Sequence, residues 1–242
     1  MWEKSGAGLV QRTWIRLCGG SFMFDRLVFG AAVAARRSVL QSHFDVRHQF
    51  EEIEESCIPS YVHGNRLAAW VAWQRTKVAA KLYDRYAKGG PILDFGAATG
   101  EVGHLIDKRG PYSIIEQDDL LARACKCWQD VERTTLEQAH RGSFAALFAL
   151  DSLEHNDDIP SLVGRLIPLL KPDGVLILSG PTENAFYRFG RRLAGFSGHY
   201  HHSNIFDIEA IVEETCTLVA ARQVPIFPTL FRLTAWRPRT AR

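Results

Sequence analysis

The chain has 242 residues, 46% of them hydrophobic and 23% charged, with a formal net charge of +2. That length and balance fit an ordinary folded protein with one large core and exclude a disordered or fibrous chain. A near-neutral charge gives no footprint for a dedicated nucleic-acid binder, which concentrates basic residues on one face.

Basic residues cluster at Arg36-Arg37, at Arg188, Arg191 and Arg192, and at Arg237-Pro238-Arg239. Solvated surface is the expectation for each cluster. The five cysteines, Cys18, Cys57, Cys125, Cys127 and Cys216, are odd in number and scattered. This argues against a disulfide framework and for a reducing, cytoplasmic setting. The apolar stretch Leu27–Ala35 is far shorter than the ~20 residues a membrane span needs. An amphipathic helix resting on a membrane or covering a site remains open.

Residues 1–22 mix Gly, Trp and Arg without periodicity. From Met23 to about Tyr86 the apolar residues recur at helical spacing: Phe44, Phe50 and Ile53, then Leu67, Trp70, Val71, Trp73, Val78 and Leu82. Pro59 and Gly64 break this run, leaving Tyr61-Val62-His63-Gly64-Asn65 as a joint. Residues 1–88 are therefore expected to form an N-terminal helical lobe ending at Gly89-Gly90. Residues 89–242 are expected to form the second domain.

There the pattern changes to strands alternating with helices. Pro91–Phe95, Tyr112–Glu116, Phe144–Leu150 and Val175–Ser179 read as strands. Glu101–Lys108, Ile159–Leu170 and Asp207–Ala221 read as helices. Such alternation predicts βαβ units, a mostly parallel sheet with helices on both faces. At the end, Gln223–Phe227 and Leu230–Trp236 are joined too closely for a crossover and read as an antiparallel pair.

The run Asp94-Phe95-Gly96-Ala97-Ala98-Thr99-Gly100-Glu101 lies between the first strand and the following helix. Glycines at such a turn let the backbone approach a ligand and leave helix amides free for polar groups. Glu116, about 20 residues on, ends the second strand, where a carboxylate can accept hydrogen bonds from both hydroxyls of a ribose. A nucleoside-containing cofactor follows. The spacing is not G-x-G-x-x-G, and a carboxylate at Asp94 would repel a pyrophosphate, which argues against a dinucleotide. The same carboxylate can hold the cationic methionine end of S-adenosylmethionine.

The segment resembles motif I of class I S-adenosylmethionine-dependent methyltransferases, commonly Asp-x-Gly-x-Gly-x-Gly, with Ala98 in place of the middle glycine. Ala149–His155 and Leu169–Gly174 are similar to the corresponding segments of the type 11 and type 23 subgroups. The resemblance covers roughly residues 89–236. It implies a Rossmann-like α/β fold, a seven-stranded, mostly parallel sheet with an antiparallel last strand. It also implies S-adenosylmethionine as cofactor and S-adenosylhomocysteine as product. Cofactor contacts are expected from Asp94, Phe95, Gly96, Ala97, Thr99 and Gly100, from Glu116 and Gln117, and from Leu150 and Asp151. Asp130 is expected on the adenine side.

Methyl transfer is an in-line displacement that needs alignment and, for a hydroxyl, proton removal. His155, just past the Phe144–Leu150 strand, is the candidate base. Its bland alternative is a cap on the helix start at Asn156-Asp157-Asp158. Asn184 after the Val175–Ser179 strand, His199, Tyr200 and His201 in the following loop, and Tyr61 in the N-terminal joint are candidate acceptor contacts. Histidines could equally ligate zinc or iron, but no carboxylate or thiolate stands at suitable helical spacing, so no metal is expected.

The Asn/Asp-Pro-Pro-Tyr motif of base and glutamine methyltransferases is replaced by Asp151-Ser152-Leu153. This favours methylation of an oxygen or nitrogen on a small-molecule, sugar or lipid-linked acceptor. Three rivals stand beside this reading: a non-catalytic nucleoside-binding partner subunit, a nucleic-acid methyltransferase and a nicotinamide-dependent oxidoreductase.

Overall fold

The computed structural model describes residues 25–46, 48–53, 56–193 and 204–239. The chain divides into two compact units, Met1–Phe50 and Glu51–Arg242. In the first unit, α1 (Ala31–His43) buries Val33, Ala34, Arg36, Arg37 and Leu40. Arg36 and Arg37 were expected on solvated surface and are instead only 6% and 4% exposed. A buried guanidinium needs a partner, and Arg37 Nε donates to Asp25 at 3.1 Å while its charge lies 5.4 Å from the Phe29 ring centroid.

In the second unit, α3 (Ile58–Tyr61) and α4 (Arg66–Tyr86) follow the four-residue α2 (Phe50–Ile53). Asn65 caps α4, its side chain accepting from the Leu67 amide at 2.9 Å. The strands are β1 (Ile92–Phe95), β2 (Tyr112–Ile115), β3 (Glu132–Arg133), β4 (Phe144–Leu150), β5 (Leu170–Pro181), β6 (Cys216–Val224) and β7 (Phe231–Pro238). They form one seven-stranded sheet in the order β3-β2-β1-β4-β5-β7-β6, with β7 antiparallel to both neighbours and every other pairing parallel. This is the expected Rossmann-like sheet.

The strict two-residue alternation of a strand divides the core into two layers. Ile92, Ala146, Phe148, Val175 and Ile177 pack with Val71, Ala79, Leu82 and Tyr83 of α4 and with Ala122 and Cys125 of α5 (Asp119–Trp128). Leu93, Phe95, Leu147, Ala149, Leu176 and Leu178 turn to the other face, against α6 (Ile159–Leu166) and α8 (Ile205–Glu213). Helix α7 (Ala185–Leu193) follows β5. Among the described residues no helix is long and apolar enough to cross a membrane.

Several elements differ from the sequence expectation, among them the strand Gln223–Phe227: β6 ends at Val224, and residues 225–227 lie in the loop before β7. The stretch 101–108 is a single 3-10 turn, Val102–His104, rather than a helix. A Cβ on Gly103 would stand 2.6 Å from Gln129 and 2.9 Å from the Tyr112 ring, so this segment is pressed onto its neighbours as a close turn. The segment 207–221 is not one helix: α8 ends at Glu213 and β6 begins at Cys216, because residues 216–224 pair along the whole of β7. Finally, β3 has only two residues, both exposed, and so no apolar run announced it.

Leu147 is fully buried in the middle of β4, level with Leu93 on one side and Leu176 on the other. Leu147→Ala is expected to cost about 2–5 kcal/mol of stability in urea unfolding. A loss under about 1 kcal/mol would contradict this account of the core.

Candidate active site

Five parallel strands point their carboxyl ends the same way, so the turns after β1, β2, β4 and β5 gather at one rim, where open α/β sheets bind ligands. Gly96 opens the turn after β1 with φ +65°, and a Cβ there would stand 2.4 Å from that of Ser152, in the turn after β4. Only glycine lets these two turns meet. Gly100 has φ +71°, and its missing Cβ makes room for Gln129 Nε2, which donates to the Gly100 carbonyl at 3.0 Å.

Between them Ala98 is held at φ +46°, the left-handed region that an L residue adopts at a cost. That conformation aims its amide at Glu116 Oε2, 2.7 Å away. The other oxygen of Glu116 accepts the Asp118 amide at 2.9 Å. Asp118 in turn caps α5 through the amides of Leu120 and Leu121. Each Glu116 oxygen has a further lone pair, which is the acceptor set that two adjacent hydroxyls require. The Gln117 side chain is exposed and its carbonyl accepts from Arg133 Nη2 at 3.0 Å.

Phe95 and Ala97 are buried beside this turn, and the fully buried Thr99 donates its hydroxyl to Glu101 at 2.7 Å. Asp94 is 3% exposed and accepts from the Tyr112 hydroxyl at 2.6 Å. Burial pushes its carboxyl up to about 7; the Tyr112 hydrogen bond opposes this and the Glu116 charge adds to it. Asp130 falls away from the group. It precedes β3, whose Glu132 pairs with Ser113, so it lies level with the start of β2, at the opposite end of the sheet. The residues that leave β3 at the rim are Thr134, Thr135 and Leu136.

After β4 the chain turns sharply at Asp151, φ +51°. Its Oδ2 accepts from Arg75 Nη1 of α4 at 2.5 Å, its Oδ1 accepts the Ser179 hydroxyl at 3.1 Å, and its amide donates to the Ser179 carbonyl at 2.9 Å. Both side chains of the ion pair are at least nine-tenths buried. The Arg75 guanidinium also lies 4.1 Å from the centroid of the Phe231 ring.

Glu154 sits one turn on, 1% exposed, with neither carboxyl oxygen hydrogen-bonded among the described residues. Burial raises its pKa well above the carboxylate range, and the nearby Asp151 and Glu183 charges add to this. Arg75 Nε and Ser152 Oγ are likewise buried without a partner. Unpartnered atoms on three buried side chains of one rim are a costly arrangement that a polar ligand would complete.

His155 is half-buried on the same 3-10 turn, Leu153–His155. The N-cap of α6 is Asp158, which accepts the Ser161 amide at 3.0 Å. Leu150 ends β4, half-buried, beside Asp151. Tyr61 lies inside the fold, its hydroxyl 3.1 Å from Thr76 Oγ1 and its ring against Trp73. Asn184 ties two loops together, donating to the Thr229 carbonyl at 2.7 Å and accepting the Tyr187 amide at 2.8 Å. His199, Tyr200 and His201 lie outside the described residues. Arg75 carries no motif in the sequence, although an arginine at a buried position of α4 between Ala72 and Ala79 is an anomaly.

Ala98→Gly should relieve the left-handed strain. After the added freedom of the unfolded chain is deducted, the gain is on the order of 0.5–1 kcal/mol. The check is an upward shift of the urea midpoint at constant slope; a downward shift would contradict the strain.

The family model described as a methyltransferase domain, type 23, matches residues 71–215. No curated protein sequence gives a significant match. Among solved structures, the N-methyltransferase NodS of Bradyrhizobium japonicum WM9 with S-adenosylhomocysteine is 15% identical, TM-score 0.55, over 69% of this chain and 87% of its own. Magnesium protoporphyrin IX methyltransferase of Synechocystis PCC 6803, also with S-adenosylhomocysteine, is 16% identical, TM-score 0.60, over 80% and 98%. The PH0226 protein of Pyrococcus horikoshii OT3 is 14% identical, TM-score 0.62, over 78% and 99%. At these identities the structures share the fold, while the family match spans the glycine turn, Glu116 and the Asp151–His155 turn; the chain therefore belongs to the type 23 methyltransferase-domain family and is a class I S-adenosylmethionine-dependent methyltransferase.

Proposed function

We propose that this enzyme methylates a nitrogen of a small amine-bearing acceptor held beside Glu154. The observation that carries the reading is the composition of the pole after β4. Three carboxyls, Asp151, Glu154 and Glu183, interact there around one guanidinium, and among the described residues Glu154 has no hydrogen-bond partner. Arg75 neutralises Asp151, so Glu154 is the group left to answer a cationic or hydrogen-bond-donating ligand. The N-methyl transfer named for NodS agrees with this.

In this reading the ribose hydroxyls of the cofactor donate to Glu116, the adenine lies beside Thr135 and Leu136, and the methionine ammonium is answered by Asp94. Bound S-adenosylmethionine supplies an electrophilic methyl on a positively charged sulfur. The chain orients the acceptor and handles its proton. Arg75 and Ser179 fix Asp151, whose turn carries Glu154 into place. The positive charge that acceptor and cofactor bring opposes the effect of burial and favours the ionised Glu154, which then accepts a proton from the acceptor nitrogen.

Two outcomes test this. Methyl-labelled S-adenosylmethionine offered with a panel of small amines and matched alcohols should label an amine. Glu154→Gln should lower that transfer by about 100-fold or more, the scale of a lost general base, with S-adenosylhomocysteine affinity unchanged. Label on alcohols alone, or full transfer by Glu154→Gln, would contradict the assignment.

The second concerns Asp94, which is protonated below about pH 7. Because the ionised form is the one that answers an ammonium, S-adenosylhomocysteine affinity should rise about ten-fold from pH 6 to pH 8 and become flat in Asp94→Asn. A flat profile in the wild type would remove Asp94 from the cofactor seat.

A further inference from the structure

Helix α7 is built the wrong way round for a soluble surface. Tyr187 turns inward, 8% exposed, with its ring 5.2 Å from that of Phe231. Phe186 and Phe189 are 56% and 67% exposed. Beside them, in the loop between β6 and β7, Ile226 and Phe227 are 84% and 83% exposed. The Phe186 and Phe227 rings approach edge-on at 6.2 Å, so helix and loop present one apolar projection. Asn184 and Thr182 pin the two segments together through the carbonyls of Thr229 and Leu230. The helix carries Arg188, Arg191 and Arg192, and no acidic residue occurs from Asn184 through His202.

We infer that this projection docks the enzyme on an anionic membrane surface, with Phe186, Phe189, Ile226 and Phe227 entering the headgroup region and the exposed Arg188 meeting lipid phosphates. Protruding apolar tips on a short helix that is otherwise basic have the chemistry of an interfacial anchor. Arginine adds paired hydrogen bonds to phosphate. A second copy of the chain is a poorer occupant, since a two-fold contact would set two such basic helices against each other. The patch adjoins the active site through Tyr187 and Phe231, the ring on which Arg75 rests. Docking would thus set the acceptor pole near the membrane, whatever the acceptor's chemistry.

The full chain should co-sediment with vesicles of phosphatidylcholine and phosphatidylglycerol, and far less with phosphatidylcholine alone or at high salt. The double variant Phe189→Ser/Phe227→Ser and, separately, Arg188→Glu should each weaken binding by about ten-fold or more. Both should keep wild-type S-adenosylhomocysteine affinity, which shows that they fold and separates this test from that of the acceptor site. Absence of binding to the mixed vesicles, or binding that both variants retain, overturns the inference. So does a wild-type dimer in sedimentation velocity that the double variant makes monomeric.

Discussion

The two hydrogen bonds that Glu116 accepts tie three pieces of chain into one. Its oxygens take the amides of Ala98, in the turn after β1, and of Asp118, the cap of α5. The turn can meet Glu116 only because Ala98 is left-handed and because Gly96 lets the same turn lie against Ser152. The rim of the sheet therefore carries a preformed seat, with carboxylate lone pairs held by backbone rather than by mobile side chains. Preorganisation of this kind lowers the entropy lost when a ligand is ordered.

The second constraint is the buried Arg75–Asp151 pair. Placing a guanidinium among the apolar residues of α4 costs free energy that the pairing and the Phe231 ring offset. Such a pair is weak evidence for stability but strong evidence for position: it fixes the turn after β4 against α4 and brings Glu154 with it. The unsatisfied atoms at Arg75, Ser152 and Glu154 are then understandable as polar capacity kept for a ligand. Seat and pole adjoin through the contact between the Gly96 and Ser152 turns, as methyl transfer between two ligands requires.

Much of the fold was legible because buried parallel strands are continuous apolar runs: β1, β2, β4 and the core of β5 stood out. The two-residue β3 left no such trace, and Asp130, which precedes it, lies level with the start of β2 rather than at the rim. Residues 216–221 read as helix because their strand character comes from pairing with β7, a tertiary effect. The glycine turn was readable because backbone geometry demands glycine at Gly96 and Gly100. The pole was not, since Arg75 and Asp151 are 76 residues apart and only the fold brings them together. The candidates Tyr61 and Asn184 have their described polar groups engaged inside the protein, an outcome that composition cannot foresee.

The most direct measurement of the seat is calorimetric titration of S-adenosylhomocysteine into the wild-type protein and into Glu116→Ala. Loss of hydrogen bonds to a charged acceptor is worth about 1.5–3 kcal/mol, so the variant should bind about ten-fold or more weakly. Equal affinity in the two proteins would contradict the assignment of Glu116 to the cofactor and, with it, the seat on which this account is built.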